Sequence, residues 1–260
     1  MSNSVVRGAA TVALAIALVG GAELTGLASS SVARAQGNGD GWRWSITPYL
    51  WGTELNADVR LQGGQEVGSE LQFDDILDKL DFAAQVHLEG RRNAWGMFVD
   101  ATYLALSDDT THGPISADTD IDTGIYEVAA TFTPGGEVGQ FTAFAGARII
   151  DLSLEMRFSL PEPLPSVQRT SDKSYADFMI GGRLLHPFSD RWLLELRGDI
   201  GAGDSESSWN ALATVGWRFG NDLDNAVLLG WRHMELEVEE GGRNTDVTFD
   251  GPIAGVLFSF

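Results

Sequence analysis

The sequence predicts an all-β protein, a closed antiparallel transmembrane barrel of about ten strands. Three observations carry that prediction. An export leader comes first, the rest of the chain alternates apolar and polar residues in repeated short segments, and an alternating strand that ends in an aromatic residue closes it.

The leader reads from its parts. Arg7 supplies a positive start, residues 9–19 are apolar apart from Thr11, and small residues lead to Ala33-Arg34-Ala35. That A-x-A site predicts cleavage before Gln36. The apolar run is shorter than the roughly 17–25 residues that a spanning helix needs. A buried N-terminal helix would explain neither Arg7 nor the cleavage site. With no twin-arginine pair, the general secretory pathway is the expected route. Residues 1–35 are therefore read as leader and residues 36–260 as one barrel domain, since no linker or low-complexity segment divides them.

Composition narrows the classes. The formal charge is −20, and losing Arg7, Glu23 and Arg34 with the leader makes it more negative by one. Such a balance argues against nucleic acid, whose phosphates attract Lys and Arg. The absence of cysteine excludes disulfides, a thiol nucleophile, thiolate-bound metal and a lipidated N-terminal Cys. No run of 18 apolar residues follows Gln36, so a mature chain that crosses a membrane does so as strands. The remaining choice is a soluble periplasmic protein.

Ten alternating segments follow, at 42–53, 81–91, 95–107, 121–133, 140–152, 173–187, 191–202, 207–219, 226–238 and 246–260. Their connections differ in kind. Arg92-Asn93, Pro134-Gly135-Gly136, Phe188-Ser189-Asp190 and Gly220-Asn221-Asp222 are short, whereas 56–80, 108–120, 155–172, 203–206 and 239–245 are longer or more acidic. Short periplasmic turns alternating with long outer loops are the pattern of a membrane barrel. Eight or twelve strands are the alternatives, and a hairpin hidden in 56–80 would give twelve.

Energetics set the register. In 191–202, Trp192, Leu194, Leu196, Gly198 and Ile200 form one face, and Glu195, Arg197 and Asp199 the other. An Arg facing lipid at mid-membrane costs roughly 2–4 kcal/mol, so the charged face looks inward. By the same rule Trp209, Ala211, Ala213, Val215 and Trp217 oppose Asn210, Thr214 and Arg218. Ala84, Val86 and Leu88 oppose Gln85, His87, Glu89 and Arg91, and Phe178, Ile180 and Leu184 oppose Asp177 and Arg183. A soluble sandwich or lipocalin would reverse the faces. The chain end favours the membrane. Ala254, Val256, Phe258 and Phe260 repeat at two-residue steps, and Val256, Phe258 and Phe260 resemble the signal read by the outer-membrane assembly machinery.

Several segments also resemble an uncharacterised family of proteobacterial outer-membrane β-barrel proteins of porin-like kind. They are Thr47-Pro48-Tyr49-Leu50-Trp51 with the block from Phe73 to Asp81, Trp95-Gly96-Met97-Phe98-Val99-Asp100 with Tyr103-Leu104, and Arg191-Trp192 running into Arg197-Gly198-Asp199-Ile200-Gly201, then Trp209 and Gly230-Trp231-Arg232. The resemblance covers most of the domain and implies an outer-membrane barrel with no transferable catalytic residues. Gly201-Ala202-Gly203 departs from the family's Gly-Gly-Phe-Gly.

Candidate chemistry centres on the inward charges Glu89, Arg91, Asp100, Glu127, Arg148, Asp177, Arg183, Glu195, Arg197, Asp199 and Arg232. Mixed signs on facing strands predict either a salt-bridged filling that supports the barrel or a charged constriction that selects solutes. The histidines are weaker: His87 stands beside Glu89, His186 and His233 near strand ends, and His112 in a loop, with no metal-ligand spacing. A lipid hydrolase needs a Ser activated by His, and neither Ser207 nor Ser208 has one nearby in sequence. Asp118-Thr119-Asp120-Ile121-Asp122 begins like a calcium loop but has Thr123 in place of the turn glycine and Ala129 in place of the bidentate Glu, so a solvated acidic loop is expected. Phe73, Ile76, Leu77 and Leu80 fall at helical spacing, and 161–165 should be a stiff extended loop. Pro48 and Pro252 stand at similar heights in the two strands that must meet, which predicts a locally weak seam.

The resulting expectation is a monomeric outer-membrane barrel in contact with lipid and lipopolysaccharide, without cofactor, metal or nucleic acid. It acts as a narrow porin-like channel or passive structural barrel. The alternatives are surface recognition through acidic loops and, third, a lipid-modifying enzyme.

Overall fold

The computed structural model describes residues 41–60, 66–71, 76, 79–112, 115–134, 141–159, 166–240 and 243–260. The leader, the 161–165 segment and most of the 73–80 segment lie outside the described residues. Among the described residues twelve strands form one antiparallel sheet. They are β1 (Arg43–Trp51), β2 (Glu54–Arg60), β3 (Glu66–Leu71), β4 (Leu80–Arg92), β5 (Trp95–His112), β6 (Ile115–Phe132), β7 (Phe141–Ser159), β8 (Val167–Pro187), β9 (Trp192–Gly203), β10 (Ser207–Phe219), β11 (Asn225–Glu240) and β12 (Arg243–Ser259).

The closed ring has ten members, β1 and β4 to β12, and β1 pairs with β12 to complete it. The hairpin suspected in 56–80 exists, yet it does not enlarge the ring. β2 prolongs β1 along β12 in unchanged register, with Trp51 opposite Ile253 and Glu54 opposite Asp250. β3 then folds back on β2. Ile76 is buried against Leu104 and Leu106.

One end of the ring carries short turns. Asn93 (φ 54°) supplies the left-handed residue of the tight β4–β5 turn, a conformation that Asn tolerates far better than most side chains. The other end is longer than the sequence suggests. Much of 108–120, 155–172 and 239–245, expected as loops, is strand: β5 and β6 pair from Trp95–Phe132 up to His112–Ile115. The Asp118–Asp122 stretch is therefore the upper part of β6 and not a loop. Unbroken antiparallel pairing satisfies its backbone groups, which a polar loop would have left to water.

The two faces separate as alternation demands. Phe178, Ile180, Trp192, Leu196, Ile200, Trp217, Leu229 and Trp231 are exposed on the outside, forming an apolar belt of the kind that faces lipid. Towards the long end the pattern inverts within single strands. In β11, Val227, Leu229 and Trp231 point out below Arg232. Above it Met234, Leu236 and Val238 are buried inside, and the odd positions outside become His233, Glu235, Glu237 and Glu239. A strand leaving lipid for water has to exchange its faces, because the lumen is then the only apolar refuge. His233 therefore sits within β11 and not near a strand end.

Candidate functional site

Neighbouring strands of the ring bring inward polar residues opposite one another. Register carries the row from Asp100 to Glu127 to Arg148 to Asp177, and from Asp199 to Asn210. The heart of this layer is Glu127. Its Oε1 accepts from Arg148 Nε at 2.8 Å and lies 3.5 Å from Arg232 Nη2, and its Oε2 accepts from Arg197 Nη2 at 2.6 Å. Arg148 also bonds Asp199 and reaches Ser208 Oγ at 3.3 Å. Asn210 links two members, donating to Asp199 (2.9 Å) and accepting from Arg232 Nε (2.9 Å). Arg148, Glu127 and Asp199 are buried, so their charges require mutual neutralisation with the hydrogen bonds satisfied. The arrangement supplies both.

Around β1 and β4 the network continues. Tyr49 donates its hydroxyl to Asp100 at 2.7 Å, and His87 Nδ1 lies 3.0 Å from the other oxygen of Asp100. His87 stands beside Glu89 on the inner face, but its Nε2 lies 3.8 Å from that carboxylate, too far for a hydrogen bond. Glu89 is held by a two-pronged contact from Arg183, at 2.6 and 2.7 Å. Asp177 is capped by Ser205 N (3.1 Å), Ser205 Oγ (2.6 Å) and Ser208 Oγ (2.9 Å). Aromatic faces complete the solvation of the cations: Arg197 lies 5.0 Å from the Phe98 ring and 4.9 Å from that of Phe144, and Arg232 lies 4.6 Å from Trp51. Gly181 makes room for this packing, since a Cβ there would stand 2.6 Å from Phe144 Cζ.

The eleven charges expected in the lumen thus face it. Eight of them, all but Arg91, Glu195 and Asp177, join the ion pairs above or, for Asp100, one with Arg232 at 3.7 Å, and Asp177 is held by hydroxyls and the Ser205 N–H. Arg91 and Glu195 line the cavity below. What the residue pattern did not reveal is the lid above the charges. Trp51, Ile125, Ile150, Met234, Leu236 and Phe249 form one buried apolar cluster inside the barrel. Tyr49 and Asn210 were also missed as partners, although both occupy inward positions of their strands. Below the layer a cavity of about 920 Å³ extends to Arg43, Arg218 and Phe260 at the short-turn end. The lumen is therefore a cup: open below, roofed by charge, sealed by an apolar plug.

The remaining candidates resolve simply. Ser207 donates to Glu237 at 3.3 Å and Ser208 to Asp177, so carboxylates engage both serines in place of histidine. His233 faces outward and lies 2.7 Å from Asp250, with Trp209 at a ring distance of 4.5 Å. The two prolines lie in the seam but not at one height: the register that pairs Tyr49 with Gly255 and Trp51 with Ile253 sets Pro252 opposite Gly52, four residues along β1 from Pro48. Pro252 accepts from Gly52 N at 2.8 Å, and the paired positions of β1 and β12 skip Thr47 and Pro48. Phe258 and Phe260 are exposed on the outside.

No protein-family model matches the chain, and no curated protein is similar to it in sequence. Solved structures are. The outer-membrane protease OmpT from Escherichia coli superposes with a TM-score of 0.53 at 9% identity, covering 86% of this chain and 98% of that one. Ail, the attachment invasion locus protein of Yersinia pestis, gives a TM-score of 0.36 at 10% identity over 84% of this chain and 99% of its own. OprG from Pseudomonas aeruginosa gives 0.32 at 11% identity over 86% and 98%. At such identities the likeness to OmpT shows the fold, a closed outer-membrane-type barrel, and nothing about activity.

Proposed function

We propose that this protein is a closed, non-enzymatic outer-membrane barrel that holds a rigid acidic β-extension outside the cell. One observation carries the reading: the lumen is filled across its width by the Glu127–Arg148–Asp199 layer and by the apolar plug of Ile150, Met234 and Leu236 above it. Of the two roles expected for the barrel, the passive structural one fits a sealed lumen, and the porin-like one requires a path that these side chains occupy. The apolar belt supports residence in the outer membrane, with the short turns in the periplasm. Above the belt, Asp118, Asp120, Asp122, Glu155, Glu235 and Glu237 stand on paired strands, so they present fixed carboxylates to the medium. This supports a role in surface recognition of cationic groups.

Planar-bilayer recording tests the reading. The refolded protein inserts without discrete conductance steps, and Arg197→Ala leaves it silent. Steps of constant amplitude from the unaltered protein would sink it in favour of a channel.

A further inference from the structure

The two edges of the apolar belt are built differently. At the edge beneath the acidic extension, aromatic donors meet the protein's own acids. Trp209 Nε1 donates to Glu235 at 2.9 Å, Trp231 Nε1 to Asp250 at 3.0 Å and the Tyr103 hydroxyl to Asp122 at 2.9 Å. At the short-turn edge the outer face carries a cation instead, Arg92. It continues the outward series Ala84, Val86, Leu88 and Gly90 of β4 and is exposed. Register sets it opposite Trp95 on β5, which is 64% exposed. Trp95 in turn faces Phe132 on β6, with the two rings 4.8 Å apart. On the other side of β4, the Trp44 ring covers Gly90 and stacks on Trp42 at 5.7 Å, both at the mouth of the cup. Arg92 thus stands between two aromatic pairs.

Its surroundings hold no counter-charge. The outward residues next along the strands are Ile46 on β1, Leu88 and Val86 on β4, and Met97 and Val99 on β5, all apolar. Among the described residues Arg92 joins no ion pair. Tryptophan settles where lipid tails meet water, because its body is apolar and its edge polar. The two aromatic pairs therefore hold Arg92 at the level of the headgroups. A guanidinium is weakly hydrated and presents a planar fork of donors that matches a phosphate.

We propose that Arg92, between the Trp42–Trp44 and Trp95–Phe132 pairs, binds the headgroup phosphate of an anionic phospholipid in the leaflet that meets the short turns. The outward neighbours hold no acid for the ammonium of a zwitterionic headgroup, which sets the preference for a net negative lipid. The inference rests on the membrane residence of the barrel proposed above, and not on whether its lumen is closed.

Native mass spectrometry of the full protein, folded in an uncharged detergent, tests it with phosphatidylglycerol, phosphatidylethanolamine and glycerol 3-phosphate. The first phosphatidylglycerol binds more tightly than phosphatidylethanolamine, and glycerol 3-phosphate does not bind. Arg92→Gln removes that preference, weakening phosphatidylglycerol about fivefold, the effect of one arginine at an anionic membrane surface. Arg191→Gln, exposed at the β8–β9 turn beside Asp190, leaves the affinity unchanged. Heat-modifiable gel migration confirms that both variants are folded. Equal affinity for the two lipids, an unaltered preference in Arg92→Gln, or an equal loss in Arg191→Gln would overturn the site. Glycerol 3-phosphate binding as tightly would overturn the lipid in favour of a soluble phosphate. Insertion into vesicles of the same two lipids separates this site from the reading beneath it. A barrel that inserts but lacks the preference overturns the site alone, whereas one that stays in solution overturns both.

Discussion

Glu127 and Arg148 face each other as register partners across β6 and β7, buried, with Nε 2.8 Å from Oε1. Glu127 also serves Arg197 and Arg232, so a single carboxylate neutralises part of three guanidinium groups. Glu127→Gln keeps the shape and removes the charge. Breaking a buried pair costs about 3–5 kcal/mol, because the remaining charge is left uncompensated. The exposed Glu155–Arg157 pair, at 2.7 Å, provides the contrast: Glu155→Gln should cost less than about 1 kcal/mol. Urea unfolding in micelles measures both. Equal losses would mean that water reaches the layer and that it is no roof.

The ring and its faces were legible in the sequence because lipid enforces a simple rule. At Trp192, Leu194, Leu196 and Ile200 against Glu195, Arg197 and Asp199, alternation has one acceptable register, and the structure adopts it. The upper strands were not legible, since beyond the lipid the same alternation changes meaning. Met234, Leu236 and Val238 alternate with Glu235, Glu237 and Glu239 just as strongly, but the apolar set turns inward. Only the phase change at Arg232 and His233 marks the boundary, and a reading keyed to acidic loops passes over it. Charged partners were legible as a face and not as pairs. That Glu89 belongs to Arg183, 94 residues away, depends on a diameter that no local pattern contains.

The seam concentrates two missing donors in one ladder. Trp44 and Phe260 exchange both backbone hydrogen bonds, at 2.9 and 2.8 Å. Every second residue upward from Trp44 is then a bonded position towards β12. Pro48 and, from the other strand, Pro252 fall at such positions and bring no N–H. Amides of the β1–β12 seam should exchange with deuterium faster than those of β10–β11, whose pairing runs unbroken from Ser207 to Phe219. Pro48→Thr with Pro252→Thr should slow seam exchange by about tenfold, the effect of one net hydrogen bond. Seam amides that are already as slow as those of β10–β11 would sink the weak-seam idea.

The acidic extension has its own pH response. Asp120 faces Glu155 across β6 and β7. Partial removal from water, then the Glu155 charge, raise its carboxyl above the ordinary 3.8, with Arg157 opposing and Asp81 and Asp109 adding to the rise. A folded pKa above the unfolded one means that the folded state holds the proton more tightly. Its contribution to stability is thus fully present below the unfolded value and is lost as pH rises through the folded one. A carbon-13 titration of the Asp120 carboxyl should place its midpoint above 3.8, and Asp120→Asn should abolish that loss. A midpoint at or below 3.8 would show that the neighbouring acids are screened from it.

A chain without cysteine lets the cup and the plug be told apart by one thiol at a time. Ser45 lines the cavity and is only half-buried, so the near-isosteric Ser45→Cys removes little. Thr102 lies at the plug level, paired with Ile125 on the neighbouring strand and close to the Tyr49 hydroxyl (2.9 Å). With a small charged thiol reagent in micelles, Ser45→Cys should react readily and Thr102→Cys slowly. Both should react fully once the barrel is unfolded. The difference follows from access, since a thiol in place of Thr102, almost wholly buried opposite Ile125, meets neither water nor reagent. Equal rates in the folded protein would mean that the lumen is open throughout, and the charged layer would then be a constriction on a path and not its end.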